Sequence, residues 1–190
     1  LVGATLVGAT LIGSNLSRSN LQGANLTGAN LATADLEDIN LNGAILQGAN
    51  LTSTELTNAI LFKADLTDLN FENVDLSLAN IAHANLTGAD LTGVDLAGKN
   101  LVGVNLSEAN LTDANLSETY LNQTNLRGSN LTGAHLARVK LFSTDLTDSK
   151  GTENELSEAI ICYSRLQDGN LSGCDLSEQN LSGMNLHNAD

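Results

Sequence analysis

The chain of 190 residues has no proline or tryptophan and holds three phenylalanines and two tyrosines, so it cannot build the aromatic-rich core of an ordinary globular domain. It carries 22 acidic and 8 basic residues, a formal net charge of −14. This balance argues against direct binding of nucleic acid phosphates or of anionic membrane surfaces, because both require clustered lysine and arginine.

A five-residue repeat begins at Leu1 and continues to the last residue. Divided from Leu1, the chain gives 38 blocks of five without an insertion, and the first position is large and apolar in 37 of them and leucine in 34. The fourth position is mostly small, and the fifth is mostly asparagine or aspartate. A period of five fits neither the helix nor the strand, so each block requires a corner.

The corner of each block is predicted at its second and third positions. The fourth residue of one block and the first residue of the next are expected to point inward, as in a short strand. The third position holds 15 of the 17 glycines. Glycine at this place is typical of a type II turn, in which the second central residue has a positive φ. Where a block carries aspartate, serine, asparagine or glutamate instead, the sequence predicts a type I turn.

The repeat resembles a known family. The run from Ala84 to Leu96, ANLTGADLTGVDL, is similar to the A(D/N)LXX signature of the pentapeptide-repeat family, and the resemblance covers the entire chain. It implies an all-β fold, a right-handed quadrilateral β-helix in which four blocks form one coil. Residues 1–190 would then be a single solenoid of about nine and a half coils, roughly 45 Å long at strand spacing. One inward core ladder would consist of Leu36, Leu56, Leu76 and Leu96.

Several inward positions depart from the pattern. Lys99 occupies a fourth position and is expected to leave the core through a distorted corner, because burying an ammonium group is costly. Gly151 begins the one block without a large apolar first residue, and we expect a bulge or loop, a local irregularity near residues 149–163. The larger fourth-position residues are expected to widen the coil locally: Ile39, Leu69 and Met184.

Residues 20 positions apart would stack in columns on a four-sided coil, and one fifth-position column is rich in acids. Like charges at that spacing are expected to raise the pKa values of the carboxyl groups. Carboxylates in a ladder could hold a hard cation, but a solvated face is the favoured interpretation. The acidic residues of this column are the candidate interaction surface: Asp35, Glu55, Asp75, Asp95, Glu155 and Asp175.

No catalytic, cofactor or metal site is predicted. His83, His135 and His187 occupy three different block positions and converge neither with one another nor with the cysteines, which argues against zinc. Cys162 is at an outward second position and Cys174 at an inward fourth position, so a disulfide between them would require unfavourable geometry. There is no convergence of serine, histidine and aspartate, and no glycine-rich phosphate loop. We expect a protein that is not an enzyme and has no cofactor.

The family resemblance implies a non-catalytic structural or protein-interaction scaffold with a protein partner that the sequence does not identify. Long regular tracts of this kind resemble those of cyanobacterial proteins, including the repeat domain of the larger protein that deposits the heterocyst glycolipid layer. Both ends are in register with the repeat, so we expect a soluble segment of a longer protein, tethered to a membrane only through parent segments outside this chain. The open coil ends are sheet edges, which favours capping by the parent protein or an end-to-end dimer.

A DNA-mimicking inhibitor or protector of DNA gyrase is the alternative. Duplex DNA carries one charge per about 1.7 Å, or roughly 26 charges over 45 Å. The net charge of −14 is about half of that value, and residues 1–34 carry Arg18 as their one charged side chain. The sequence therefore favours the scaffold over the mimic.

Overall fold

A computed structural model describes residues 1–151, 156 and 159–166. Parallel single-residue bridges join most fifth-position residues to the residue 20 positions further along, from the pair Thr5 and Asn25 to the pair Asp145 and Arg165. Four blocks of five therefore close one coil, and the predicted right-handed quadrilateral β-helix is confirmed. Within the described residues, no helix has the length and hydropathy that a membrane span requires.

Two strands are long enough to be named in the described part of the chain. Strand β1 is Lys140–Phe142 and strand β2 is Ile160–Cys162. They pair in parallel with Leu141 opposite Ile161, so the 20-residue register persists on both sides of the Gly151 block. Residues 152–155 of that block lie outside the described residues.

Cys162 departs from the expected pattern in its burial. It stands at a second position, which faces outward in regular blocks, yet its side chain is fully buried, and it is disulfide-bonded. In the parallel register of β1 and β2, Cys162 stands beside Phe142 and therefore keeps the predicted outward position, while Ile161 stands beside Leu141 and packs against the core. The burial and the disulfide bond of Cys162 were not expected from the sequence. The other cysteine of the sequence, Cys174, lies outside the described residues.

The core is a stack of leucine ladders lined by small fourth-position residues. Leu36, Leu56, Leu76 and Leu96 are 0 %, 1 %, 0 % and 1 % exposed. Each such leucine contributes roughly 1.5–3 kcal/mol through burial of its side chain. The interior is thus a continuous apolar column, and function has to lie on the outer walls or at a defect in them.

Backbone hydrogen bonds explain why the fifth position is asparagine or aspartate. In a regular block the amides of the first and third positions donate to carbonyls of the following coil, and the amide of the fifth position donates to a carbonyl of the preceding coil. The amide of the fourth position donates to the carbonyl of the first position in its own block, which closes the turn. The second-position amide has no backbone acceptor. The fifth-position side chain accepts it, as Asn25 Oδ1 does from the Thr27 amide at 3.0 Å. This local side-chain bond completes the hydrogen bonding of the corner.

The corners are type II turns whether or not glycine is present. Among the third positions from Gly3 to Asp148, every residue except Leu78 has a positive φ, including Asp38 at 54°, Ser53 at 56°, Asn58 at 55° and Glu108 at 60°. The type I prediction for blocks with aspartate, serine, asparagine or glutamate at this position is therefore wrong. A left-handed backbone costs an ordinary residue about 1–2 kcal/mol. In most of these blocks the third-position amide bonds to the following coil, as the Asp38 amide does to the Thr57 carbonyl at 2.9 Å, so contacts between coils favour the left-handed conformation.

We expect Ser129→Ala to raise the free energy of unfolding by about 1 kcal/mol. Ser129 is fully buried, and its Oγ has no hydrogen-bond partner among the described residues. The matched control is Thr124→Val, which removes a buried hydroxyl that donates to the Leu101 carbonyl at 2.9 Å and should lower stability. Urea unfolding of both variants tests this, and a stability loss in Ser129→Ala would contradict it.

Candidate functional site

The hydrogen-bonded wall of the solenoid is interrupted around residues 70–78. Asp75 forms a bridge neither with Glu55 in the preceding coil nor with Asp95 in the following one. The amides of Asn73 and Leu76 make none of the bonds to the following coil that first- and third-position amides make in regular blocks. One corner of this coil therefore stands apart from both neighbours.

The interruption has a steric cause inside the coil. Leu69 replaces the usual small fourth residue, Phe71 replaces leucine, and Val74 follows; these side chains are 1 %, 0 % and 5 % exposed. A close-packed core cannot absorb the extra volume, so the wall moves outward. Ile39 is also large, yet the bridge from Asn40 to Ile60 beside it is intact. The expected widening thus coincides with a break at Leu69 but not at Ile39, and Met184 lies outside the described residues.

The opening is a groove of about 410 Å³ between two coils. A second opening of about 330 Å³ continues it and shares Glu72 and Thr92. We call the two together the acidic groove, because four carboxylates line them. The side chains of Phe71 and Leu76 lie beneath the groove and are fully buried. Carbonyl groups that would pair in a regular wall add further acceptors. The carboxylates are those of Glu72, Asp75, Asp90 and Asp95.

Lys99 and Leu78 stand beside the acidic groove. Lys99 is half-buried, and its Nζ leaves the core to donate to the Ser77 carbonyl at 2.8 Å, which matches the predicted exit through a distorted corner. Burial lowers the pKa of the Lys99 ammonium, and the charge of Asp75 opposes that shift. Leu78 is 63 % exposed, so the rim of the groove also offers an apolar contact.

The pKa of Asp75 moves opposite to the prediction made for the acidic column. The Ser77 amide donates to Asp75 Oδ1 at 2.8 Å. This bond, the Ser77 hydroxyl and the charge of Lys99 together lower the pKa of Asp75. The predicted rise is therefore wrong at this position, because the Ser77 donors and the Lys99 charge stabilise the carboxylate.

An NMR titration of the carboxyl carbons should place the midpoint of Asp75 below the usual aspartate value of about 3.9. Ser77→Ala should raise that midpoint, and Lys99→Ala should raise it less, following the order of the causes. The pKa of Asp75 is lower in the folded state than in the unfolded state. The stability that Asp75 contributes is therefore fully present when the pH is above its unfolded-state pKa, and it is lost as the pH falls through its folded-state pKa. A midpoint above the unfolded value would contradict this assignment.

The other residues of the acidic column differ in position. Asp35 and Glu55 form a regular bridge, whereas Asp95 lines the groove with Asp75. Glu155 and Asp175 lie outside the described residues. The carboxylates of Asp35, Asp75 and Asp95 each accept the amide two residues ahead, so they also complete the turns.

Glu72 and Asp90 were not predicted from the sequence as site residues, because they belong to other columns. The signal that could have found them is the closely spaced pair of oversized inward residues, Leu69 and Phe71. Among the described residues, no group of three or more histidine, cysteine or acidic side chains is placed to hold a metal ion.

Comparison with known families gives a match over most of the chain. The family model described as Pentapeptide repeats matches in eight copies, over residues 1–38, 34–68, 59–98, 89–128, 109–148 and 170–190. The stretch between residues 148 and 170, which contains the Gly151 block, lies outside the matches. No curated protein matches the chain.

Solved structures of similar proteins include HetL, a pentapeptide repeat protein involved in heterocyst differentiation regulation in the cyanobacterium Nostoc sp. strain PCC 7120. It is 33 % identical, with 90 % of this chain and 74 % of that chain covered and a TM-score of 0.48. Rfr23 of the cyanobacterium Cyanothece 51142 is 34 % identical over 64 % of this chain and 87 % of its own, with a TM-score of 0.35. QnrB1, a plasmid-mediated fluoroquinolone resistance protein, is 18 % identical over 96 % of this chain and 87 % of its own, with a TM-score of 0.46.

Proposed function

Because the chain belongs to the pentapeptide-repeat family, whose members are scaffold-like and non-catalytic, we propose that it is a protein-interaction scaffold whose contact site is the acidic groove. The observation that carries this proposal is the interrupted wall at Asp75. In regular coils the backbone donors and acceptors are used between neighbours, which leaves flat polar walls. At the acidic groove several of them lack a partner in the neighbouring coil and line a concave surface together with carboxylates, and binding sites are usually concave.

The chemistry of the acidic groove favours a basic side chain from the partner. Glu72, Asp75 and Asp95 supply carboxylates, and neighbouring carbonyls supply further acceptors. An arginine fits such a set best, because its planar guanidinium presents five donors. The exposed Leu78 would contact an apolar residue next to that arginine. Residues 35–120 carry 13 acids and two bases, so the surrounding field also attracts a cationic segment.

The test compares two variants that remove the same charge. Glu72→Gln, Asp75→Asn and Asp95→Asn are combined in the groove variant. Asp35→Asn, Glu37→Gln and Asp65→Asn are combined in the control, because the bridges of Asp35 and Asp65 to neighbouring coils are intact. Binding of short arginine-containing peptides, followed by fluorescence anisotropy, should weaken at least roughly tenfold in the groove variant, about 1.4 kcal/mol, and little in the control. Equal weakening in both would show that only net charge matters and would refute the site.

The narrower context remains a proposal from sequence resemblance. It places this chain in a larger cyanobacterial protein, tethered to a membrane through its other segments and acting in glycolipid layer deposition. A groove-dependent partner from the machinery of that layer would support it, and a groove-dependent partner without any link to the layer would contradict it. Pairing of two copies end to end is a separate proposal, which sedimentation of the purified chain would test.

The distribution of charge supports the scaffold over DNA mimicry. A duplex carries phosphates on both strands around its axis. On this rod the acids of the described residues are confined to part of the circumference, and residues 1–34 hold none. We expect no inhibition of DNA gyrase in a supercoiling assay at the protein concentrations that bind the arginine peptides. Inhibition at those concentrations would favour the mimic.

A further inference from the structure

The aromatic residues converge on one edge of the rod. Outward residues that share a corner recur every 20 residues, and one such series contains four of the five aromatic residues of the chain. The fifth, Phe71, is buried in the core. We call this series the aromatic edge and define it by its rings and the lysines beside them: Phe62, Tyr120, Phe142, Tyr163, Lys63 and Lys140.

Side chains of the aromatic edge contact one another across coils. The rings of Phe62 and His83 meet edge to face with centroids 5.3 Å apart, and Lys63 Nζ lies 5.2 Å from the same Phe62 ring. Lys140 Nζ lies 4.0 Å from the centre of the Tyr120 ring. From Phe62 to Tyr163 the strip crosses five coils, or about 24 Å. The contacts form two clusters, Phe62 with Lys63 and His83, and Tyr120 with Lys140, and the coil that carries Val102 lies between them.

The aromatic edge differs in charge from the other three corner series. Every acidic residue in the described part of the chain lies on the other three corner series, while Lys63, His83 and Lys140 lie on this one. Tyr120 remains 43 % exposed and Tyr163 48 % exposed. In a chain of net charge −14, this edge is where an anionic group meets the least repulsion. The acidic groove lies half a coil away, on the opposite side of the rod.

We propose that the aromatic edge is a second docking surface, which binds a protein segment in which apolar side chains are flanked by carboxylates. Aromatic rings dominate the energetics of protein interfaces, and the flanking lysines select the sign of the partner charge. Two lysines four coils apart do not follow a phosphate backbone, and the remaining charge repels nucleic acid. This surface does not depend on the acidic groove and selects a partner of opposite charge, so the scaffold holds two different segments at once.

The test uses random peptides displayed on phage and selected on the full chain. The edge variant combines Phe62→Thr, Tyr120→Asn and Phe142→Thr, which are residues that the repeat itself uses at these positions. The matched control is Ile45→Asn, which removes an exposed apolar side chain from the neighbouring corner series. Peptides with acidic and apolar residues should be enriched. Their affinity should fall at least roughly tenfold on the edge variant and stay unchanged on Ile45→Asn and on the groove variant.

A second variant combines Lys63→Gln with Lys140→Gln and serves if the edge variant fails to fold. It should weaken the binding of the same peptides several-fold and remove the salt dependence of that binding. The proposal is overturned if no acidic peptide is enriched, or if such peptides bind both variants as they bind the wild type. An oligothymidine strand or vesicles of anionic phospholipid serve as competing probes. Binding of either that depends on Phe62 and Tyr120, without peptide binding, would assign the edge to nucleic acid or to a membrane and overturn the proposal.

Discussion

Gly151→Leu restores the leucine that 34 of the 38 blocks carry at the first position, and it should lower the free energy of unfolding by more than about 2 kcal/mol. Gly151 has a φ of +76°, and a Cβ at this position would lie 2.5 Å from the backbone nitrogen and from the Cα of Thr132. The backbone of the preceding coil cannot yield to such a contact. A left-handed conformation adds about 1–2 kcal/mol for a residue with a side chain. Gly151 is therefore a required close approach, and not a tolerated gap in the repeat.

Gly23→Ala is the control for this prediction. Its φ is +65°, but an added Cβ would meet nothing within 4 Å. The Gly23→Ala substitution should therefore lower the free energy of unfolding only by the cost of a left-handed backbone conformation. Long repeat arrays unfold less cooperatively than small domains, so urea unfolding should be combined with hydrogen exchange of the Leu131 amide, which donates to the Lys150 carbonyl at 2.9 Å. A Gly151→Leu variant as stable as the wild type would show that the close approach is absent.

Phe71→Leu combined with Leu69→Ala should close the acidic groove. Both substitutions return the inward side chains to the sizes that the repeat uses elsewhere, which lets the wall move back into hydrogen-bonding distance of its neighbours. Hydrogen exchange at the Asn73 and Leu76 amides should slow at least roughly tenfold. Binding of arginine peptides should fall at the same time, because the concave surface that receives them is lost.

The stability of this double variant should change less than its lost burial suggests. Leu→Ala in a core costs about 2–5 kcal/mol, while each regained backbone bond contributes about 0.5–1.5 kcal/mol, and several are missing around residues 70–78.

Ile39→Ala is the matched control, because it removes a large fourth-position residue where the wall is intact. Hydrogen exchange at the Asn73 amide should not change in this control. If exchange at Asn73 and Leu76 is as fast in the double variant as in the wild type, the oversized side chains are not the cause of the opening.

The predictions that failed share a physical origin. The type I turns expected at residues such as Asp38 and Glu108 followed local preference, but both residues have a positive φ and their amides bond to the next coil. The raised pKa expected for Asp75 followed from an ideal column, but the wall is interrupted there and the Ser77 donors prevail. In each case contacts between coils decide a property that the block alone does not contain.

The sequence by itself determined the repeating unit, because inward leucine every five residues, a corner at the third position and a capping asparagine are local features. It also indicated, through its family resemblance, which columns stack. Only the tertiary structure decided where the stacking fails and which distant residues meet: Leu69 and Phe71 push a wall apart, Gly151 lies against Thr132, and Phe62 meets His83 across coils. The reason is that a pattern of residue types specifies whether each side chain points inward or outward. The packed volume of the core and the hydrogen bonds between coils determine how far apart neighbouring coils lie.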